Sequence, residues 1–297
     1  MLSSPKLTIL SLGWGVQSWG AAAMSALGVL PSIDYALHSD TAYERVETYD
    51  FAAEWTPWLE ANGVPVITVS GGRPLMGTAD DSYTSVPAFT RYAEDVYERT
   101  GGLVYRTDDV QFVSDGGRVK AHSAGDKSGM LRRQCTHDWK ILPMRRWVRG
   151  KMKERGIKLQ PGVVEQWLGI TLDEVQRMKH SDAKFTVNRY PFIEMLDRPW
   201  TRGMVVNWLL EQGLGVPVKS SCYFCPYHDK GSWREIKAGP DWPKAVSADE
   251  AIRNMRPGYL CYLAAARIPL TEVDFRNQED HGQLSLWDDE CSGVCFL

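Results

Sequence analysis

Apolar and polar positions in the N-terminal quarter of the chain follow a pattern that predicts alternating strands and helices. Three segments predict strands: 7–12, a short apolar run typical of a buried parallel strand, 33–40, which ends at Asp40, and 64–69. Between them, an Ala-rich segment ending near Gly28 and an amphipathic stretch over 43–62, ended by Gly63, predict two helices. This order of elements predicts the first half of a doubly wound α/β sheet.

The rest of the chain continues the pattern after one irregular insertion at about 71–130. Within the insertion a hairpin is predicted to turn at Asp115–Gly117, and the insertion is expected to cover the strand ends. Further elements are predicted downstream: a helix at 138–155, a buried strand at 163–170 and a helix at 201–212 after Thr201. We therefore expect a Rossmann-like doubly wound, mostly parallel α/β sheet with helices on both faces. It occupies 1–218, and a Cys-rich C-terminal extension occupies 219–297.

Composition narrows the class of protein. The 297-residue chain is 43% hydrophobic with a net charge of −3, as expected of a globular protein without a general preference for polyanions. Its apolar runs fall well short of the roughly 20 residues that span a bilayer. The start of the sequence, MLSSPKLTILSLG, lacks the basic region of a signal peptide. We therefore expect a cytoplasmic protein without membrane contact.

One basic segment departs from this average. Residues 132–158 contain ten Lys or Arg residues against two acidic ones, and Trp139 and Trp147 interrupt the basic run. The segment is either a solvated helix face or a surface for phosphate, sulfate or nucleic acid. The second interpretation follows because aromatic rings among cations suit exposed bases.

The segment SLGWGVQS, Ser11–Ser18, joins the first predicted strand to the first predicted helix. A Gly-rich turn in this place exposes backbone N–H groups at a helix N-terminus, which suits a phosphate group. Gly13 and Gly15 permit a tight backbone, and the two serines add hydroxyl groups. The segment has neither the Lys of a Walker loop nor the third Gly of a dinucleotide fingerprint. It is therefore a phosphate site of another kind or only a tight turn.

This segment resembles the pyrophosphate loop (PP-loop) of the adenine-nucleotide α-hydrolase-like superfamily, which includes ATP pyrophosphatases and phosphoadenosine-phosphosulfate (PAPS) reductases. The superfamily pattern is Ser-Gly-Gly-x-Asp-Ser, whereas here Trp14 stands within the glycine pair and Gln17 takes the Asp position. The sequence Gly15-Val16-Gln17-Ser18 is similar to a phage and bacterial PAPS reductase-like branch. The glutamine removes a carboxylate that could help to hold Mg²⁺.

Two further segments resemble the same superfamily. Asp40-Thr41 ends the second predicted strand as the family's Asp-Thr does, and Gly169–Glu174 resembles its Gly-x-Arg-x-x-Glu motif without the Arg. The resemblance implies ATP or another adenine nucleotide, PAPS or its non-phosphorylated form APS, with Mg²⁺ as an optional further ligand. It implies that these residues bind the nucleotide: Ser11, Gly13, Trp14, Gly15, Val16, Gln17, Ser18, Asp40, Thr41, Gly169, Asp173 and Glu174.

The cysteines suggest a metal site. Cys222-x-x-Cys225 fits zinc, a redox pair or an iron–sulfur cluster. Cys135 lies in a segment that resembles the one completing a [4Fe–4S] site in cluster-bearing sulfonucleotide reductases. The resemblance implies a [4Fe–4S] cluster, or alternatively zinc, on four thiolates: Cys135, Cys222, Cys225 and Cys295. Cys261, in an apolar context that is predicted to be helical, is expected in the core.

The C-terminal tail carries a second cysteine with a different predicted role. Glu290-Cys291 followed by Gly293 resembles the Glu-Cys-Gly of PAPS reductases, whose cysteine is the thiol nucleophile. The resemblance therefore implies Cys291 as the reactive thiol and leaves Cys295 as the fourth metal ligand. The reverse assignment of these two cysteines is the alternative.

Three functions follow from these features. The first is an iron–sulfur enzyme that uses ATP to transfer sulfur to a nucleotide or nucleic-acid acceptor bound by the basic segment 132–158. The second is a PAPS or APS reductase in which the tail thiol attacks the sulfonucleotide and thioredoxin reduces the product. The third is a non-enzymatic nucleotide or redox sensor. A thioredoxin-like reductant or a sulfur donor is an expected partner, and a homo-oligomer is the expected assembly.

Overall fold

The computed structural model describes residues 5–71, 86–94, 96–99, 103–106, 119–256 and 258–276. The chain divides into two compact units. The first comprises the described residues of 1–72 and 136–222, and the second those of 73–135 and 223–296. The predicted turn at Asp115–Gly117 and the tail cysteines Cys291 and Cys295 lie outside the described residues.

The first unit is built on one parallel sheet. Its strands are β1 (Leu7–Ser11), β2 (Tyr35–Asp40), β3 (Val66–Ser70), β9 (Val164–Trp167) and β10 (Thr186–Arg189), numbered in chain order. They lie in the order β10-β9-β1-β2-β3, and every neighbouring pair is parallel. The chain proceeds from β1 to β2 on one side and later returns to β9 on the other side of β1. The carboxyl ends of β1 and β9 therefore form the switch point at which such sheets bind ligands.

Helices cover both faces of this sheet. Side chains alternate between the two faces along the central strand β1, so each face has its own core. Leu10 of β1 joins a cluster with Trp19 of helix α1 (Val16–Ala26) and Val205 of helix α5 (Arg202–Glu211). On the opposite face, Ile9 packs with Met152 of helix α3 (Leu142–Glu154). Two cores on opposite faces of one parallel sheet confirm the predicted doubly wound α/β fold.

The predicted elements of the first unit are confirmed with small shifts in their ends. Helix α2 begins later than predicted and covers Val46–Ala61, and α3 follows a π-helical turn at Thr136–Ile141. The strand predicted at 163–170 is shorter, because the chain turns at the end of β9. The predicted N-cap of α5 is present, since the Thr201 hydroxyl accepts a hydrogen bond from the Met204 N–H. A short helix, α4 (Pro191–Glu194), precedes it.

The second unit contains two antiparallel sheets. Its strands are β4 (Phe89–Tyr92), β5 (Val96–Arg99), β6 (Leu103–Arg106), β7 (Val119–His122), β8 (Lys127–Met130) and β11 (Tyr259–Tyr262). One sheet has the order β11-β4-β8 and the other β6-β5-β7. Helices α6 (Lys230–Ala238) and α7 (Trp242–Ala251) belong to the same unit.

The pairing of β4 with β11 joins the insertion to the C-terminal part of the chain. This division differs from a boundary at 218/219, which would keep the insertion with the nucleotide domain. Cys261 is fully buried, as expected, but it lies in β11. The helical context predicted for it is wrong, since the apolar run YLCYL pairs with a strand distant in sequence. None of the helices in the described part of the chain is long and apolar enough to span a membrane.

Candidate functional site

The turn between β1 and α1 places the start of a helix at the carboxyl edge of the sheet. Gly15 is the N-cap residue of α1, with φ −90° and ψ 165°, and it offers no side chain to the helix. The first acceptor inside the helix is the Gly15 carbonyl, which receives the Trp19 N–H at 2.9 Å. The N–H groups of the first helical turn have no intrahelical partner, so the turn presents donors where an anion would bind.

Trp14, which stands between the two glycines of this turn, has a backbone conformation that is unusual for a residue with a side chain. Its φ of 56° is the left-handed conformation that glycine adopts easily. Its indole is 1% exposed and packs near the rings of Trp19 and Phe51, with centroid separations of 6.1 and 6.2 Å. Burial of this large ring offsets the unfavourable backbone conformation. Trp14 can therefore offer only its backbone to a ligand, and the same holds for Val16, whose side chain is in the core.

Hydroxyl groups hold the turn in shape from within. The Ser18 hydroxyl accepts the Gly13 N–H at 3.1 Å and lies 3.2 Å from the Gly15 carbonyl, to which it donates. The Ser11 hydroxyl accepts a hydrogen bond from the Gln166 side chain of β9 at 2.8 Å. Both serines predicted to contact a nucleotide thus already take part in positioning the turn.

The turn after β9 lies against the first turn of α1. A Cβ atom added to Gly169 would meet the backbone of Gln17 and Ser18 at 2.8 Å, so only glycine fits there. The Gln17 side chain lies 3.4 Å from a carboxylate oxygen of Glu174, and Arg177 forms an ion pair with the same carboxylate at 2.7 Å. The structure therefore brings the two predicted nucleotide segments together.

Asp173 has a structural partner in the same region. Its carboxylate accepts the backbone N–H of Arg202, at the first position of α5, and the hydroxyl of the fully buried Thr171 at 3.1 Å. A carboxylate at a helix N-terminus satisfies an unpaired donor and interacts favourably with the helix dipole. These contacts account for Asp173 without a ligand.

The end of β2 adds polar groups to the same edge of the sheet. An Asp40 carboxylate oxygen accepts the Ala42 N–H at 2.7 Å and the Tyr49 hydroxyl at 2.8 Å. Burial, together with the bond to Asp40, raises the pKa of Tyr49 above its usual range. Because the tyrosine stays protonated, it donates to the carboxylate and fixes the turn after β2.

Glu44 is a buried carboxylate that the sequence motifs did not indicate. Its side chain is 2% exposed, and one oxygen lies 3.4 Å from both the Lys140 ammonium group and the Thr41 hydroxyl. Its other oxygen is buried and has no hydrogen-bond partner among the described residues. Its only sequence signal is a charged residue between a strand end and a helix start.

Cys222 is fixed at this same edge within the first unit. It forms an isolated antiparallel β-bridge with Glu44, and its sulfur lies 3.4 Å from the Thr41 hydroxyl. Cys135 and Cys225 belong to the second unit, where both are partly exposed. Within the described ranges, no three His, Cys, Asp or Glu side chains form a group that could hold a metal ion. The cluster and its ligands remain predictions.

Ser220 is a second residue that the motif analysis missed. Its hydroxyl donates to the Gly13 carbonyl, which links the segment preceding Cys222 to the Gly-rich turn. A Cβ atom on Gly15 would lie 3.6 Å from the Ser220 side chain, so the two segments pack side by side. The pair Ser220-Ser221 just before the C-x-x-C was the available signal.

The basic segment 132–158 uses its tryptophans for packing. Trp139 is 6% exposed, and Trp147 packs against Tyr35 with a centroid separation of 5.0 Å. Arg145 pairs with Asp182, and other cations of the segment also have carboxylate partners. The tryptophans therefore do not form the exposed stacking surface that the sequence suggested, and an acceptor at this segment would meet mainly cations.

Comparison with known proteins gives a weak likeness to solved structures. No protein-family model matches the chain, and no curated protein does. Among solved structures, the chain is similar to the phosphate complex of phosphoadenylyl-sulfate (PAPS) reductase from Candida auris. The two share 11% sequence identity over 72% of this chain and 76% of the other, with a TM-score of 0.36. At these values the likeness assigns neither a family nor an activity.

Proposed function

We propose that this chain is an adenine-nucleotide-dependent enzyme of sulfur chemistry that uses ATP to transfer sulfur to a nucleotide or nucleic-acid acceptor. The observation that carries the proposal is one edge of one sheet, where the open helix start of α1 and the thiol of Cys222 are both held. The Ser220 hydroxyl joins the two through the Gly13 carbonyl. The resemblance of Ser11–Ser18 to a PP-loop supports ATP as the ligand of this edge.

The Gly-rich turn would hold the phosphates of ATP. Backbone N–H groups of Gly15, Val16 and Gln17 would donate to phosphate oxygens, and the dipole of α1 would favour their negative charge. Gln17 supplies an amide where the superfamily has a carboxylate, so Mg²⁺ would be held chiefly by the nucleotide itself. In this arrangement the turn orients the phosphates but contributes no charged side chain.

The reaction balances with inorganic sulfide as the sulfur source. A carbonyl oxygen of the acceptor attacks the α-phosphorus of ATP, and the bond from that phosphorus to the pyrophosphate oxygen breaks. Sulfide then attacks the activated carbon, and the carbon–oxygen bond breaks, so AMP leaves with the oxygen of the acceptor. Placing the reactants at one edge would supply most of the acceleration through orientation.

The predicted metal site is proposed together with this activity. Four thiolates are the donor set that a [4Fe–4S] cluster or zinc prefers, and the proposed set is Cys135, Cys222, Cys225 and Cys295. Because four thiolates would ligate all four irons, the cluster would leave no open iron site for sulfide and would supply structural and electron-transfer capacity instead. Iron, zinc and acid-labile sulfide analysis of anaerobically purified protein tests the assignment. Cys222→Ala is expected to lower the metal content, whereas Cys261→Ala, in the core of the second unit, should retain it.

Turnover assays test the activity itself. We expect pyrophosphate release from ATP that depends on sulfide and on an RNA or nucleotide acceptor. Sulfite release from PAPS in the presence of thioredoxin would instead establish the reductase, with Cys291 as the nucleophile to be replaced next. ATP binding without either turnover would identify a sensor. Calorimetric titration that detects no binding of ATP would overturn the proposed sulfur transfer, and the absence of ATP, PAPS and APS binding together would overturn all three nucleotide-based functions.

A further inference from the structure

One stretch of the first unit, Gly215–Cys222, contacts the aromatic core, the Gly-rich turn and the end of β2 in succession. At its start, the Gly215 carbonyl accepts the Trp19 indole N–H at 2.9 Å. A Cβ atom on Gly215 would lie 3.0 Å from the rings of Phe51 and Trp55, so this end is packed tightly against the core. Pro217, which is buried, then stiffens the chain.

The last three residues of the stretch, Ser220–Cys222, are named here the coupling segment. The Ser220 hydroxyl donates to the Gly13 carbonyl in the turn that leads into α1. The next carbonyl, of Ser221, accepts the Arg45 N–H at 3.3 Å, and Cys222 forms the β-bridge with Glu44. Each residue of the segment therefore makes a contact with one of two strand-end turns.

We propose that Ser220 is a positioning residue through which a ligand in the Gly-rich turn and the thiol of Cys222 influence each other. An anion bound to the N–H groups of the turn fixes the peptide at Gly13, whose carbonyl holds Ser220. Because the stretch is anchored at Gly215, a shift of the turn is passed along the coupling segment to Cys222, next to Thr41. The inference rests on the proposed function, since it takes the turn to be a nucleotide site.

Thermodynamic linkage makes this coupling reciprocal. If a nucleotide in the turn changes the environment of Cys222, then a change at Cys222 must alter nucleotide affinity by the same factor. One side-chain hydrogen bond contributes about 0.5–1.5 kcal/mol, so the expected coupling is about threefold to tenfold. The Ser220 hydroxyl donates directly to the Gly-rich turn, so its removal should weaken the link.

A double-mutant cycle on ATP affinity tests the inference. Calorimetric titration compares the full-length chain with Ser220→Ala, Cys222→Ala and the double variant. Each single change is expected to weaken ATP binding about fivefold, and the double variant should bind no more than about twofold more weakly than Ser220→Ala. Additive losses of about 25-fold in the double variant would overturn the coupling. Ser221→Ala is the matched control, because its hydroxyl makes no hydrogen bond in the described residues.

A second measurement tests whether ATP changes the reactivity of Cys222, which is the reverse of the effect of Cys222 on ATP affinity. Site-resolved mass spectrometry follows iodoacetamide alkylation of Cys222 with and without ATP in protein freed of bound metal by a chelator, with the buried Cys261 as internal reference. ATP is expected to change the Cys222 rate about threefold or more in the wild type and to leave it unchanged in Ser220→Ala. An equal effect of ATP in both proteins would overturn the role of Ser220.

The same proteins separate failure of the coupling from failure of the proposed function. If the wild type binds no ATP, the proposed function fails, and the cycle is repeated with inorganic phosphate as the probe of the turn. A non-additive cycle with phosphate would support the coupling without the nucleotide. Additive losses with phosphate, or the absence of phosphate binding, would overturn the coupling as well.

Discussion

The turns that follow β1 and β9 meet at one edge of the sheet, yet they use their polar groups differently. After β1, the N-cap Gly15 leaves the first N–H groups of α1 without a side-chain acceptor. After β9, Asp173 serves the start of α5, and Glu174 is paired with Arg177. Both turns matched a nucleotide-binding pattern in the sequence, but the carboxylates after β9 already have structural partners, whereas the start of the longer helix α1 has no side-chain cap.

The difference lies in which groups each turn needs for its own stability. The turn after β1 is held by Ser18 and by the buried ring of Trp14, so its helix start needs no carboxylate. The turn after β9 lies beside the start of α5, and the carboxylate of Asp173 accepts a backbone N–H of that helix start. Polar residues at a strand end therefore indicate a binding site only after their structural contacts have been accounted for.

The largest effect is expected where the two turns touch, at Gly169. Replacement by Ala places a methyl group 2.8 Å from the backbone of Gln17 and Ser18, and backbone atoms cannot move aside as a flexible side chain can. Overpacking of this kind costs about 2 kcal/mol, so we expect ATP affinity to fall roughly thirtyfold when the N–H groups of α1 are displaced. Calorimetric titration measures the loss.

Gly150→Ala is the matched control for Gly169→Ala. Gly150 lies in α3, and an added Cβ atom would meet nothing within 4 Å. Its replacement should leave ATP affinity unchanged and raise stability by about 0.5–1 kcal/mol through helix propensity. Unchanged ATP affinity in Gly169→Ala would show that the turn after β9 does not position the turn after β1.

Ser18→Ala probes the internal support of the turn after β1. The hydroxyl bridges the Gly13 N–H and the Gly15 carbonyl, and its loss leaves both groups without this partner. We expect ATP affinity to fall by about 1.5 kcal/mol, roughly tenfold, with little change in melting temperature. Ser25→Ala, at the other end of α1, removes a comparable hydrogen bond to the Pro31 carbonyl and should leave ATP affinity intact. Equal losses in the two variants would indicate a general effect on the helix.

The sequence pattern was sufficient for the parallel sheet because buried parallel strands are rich in consecutive apolar residues; β1 and β3 coincide with such runs, and β2 begins with one. It could not show that β4 pairs with β11, since nothing local records a partner about 170 residues away. Nor could it show that Asp173 caps a helix, because the same carboxylate suits a cap and a ligand. Glu44 and Ser220 were missed for a related reason, as their roles come from neighbours distant in sequence.

Asp173→Ala tests the structural role assigned to the turn after β9. Loss of the carboxylate at the start of α5 is expected to lower the free energy of unfolding by about 1 kcal/mol. Chemical denaturation measures this change, and ATP affinity should stay within about twofold of the wild type. An affinity loss of tenfold or more at unchanged stability would place Asp173 among the ligand contacts and remove the contrast between the two turns. Asp197→Ala, an exposed carboxylate between α4 and α5, is the control.

The smallest effect is expected at His38, which supports the turn after β1 from the neighbouring strand. Its ring is buried, and because the Leu12 carbonyl 3.1 Å from Nδ1 can only accept, Nδ1 carries the proton and donates. Burial lowers the pKa of His38 below its usual range and outweighs the opposing effects of the Leu12 carbonyl, Glu44 and Asp40; Lys140 adds to the lowering.

The direction of the pH dependence follows from this lowered pKa. Above the unfolded pKa of about 6.5, the histidine is neutral in both states and does not affect stability. As the pH falls below that value, the unfolded chain takes up a proton before the folded chain does, so stability decreases until the folded pKa is reached. Denaturation curves should show that His38→Asn, which keeps a donor but does not titrate, removes part of this decrease. The exposed His180→Asn should retain it, and identical slopes in the two variants would mean that the turn gains no pH-sensitive support from β2.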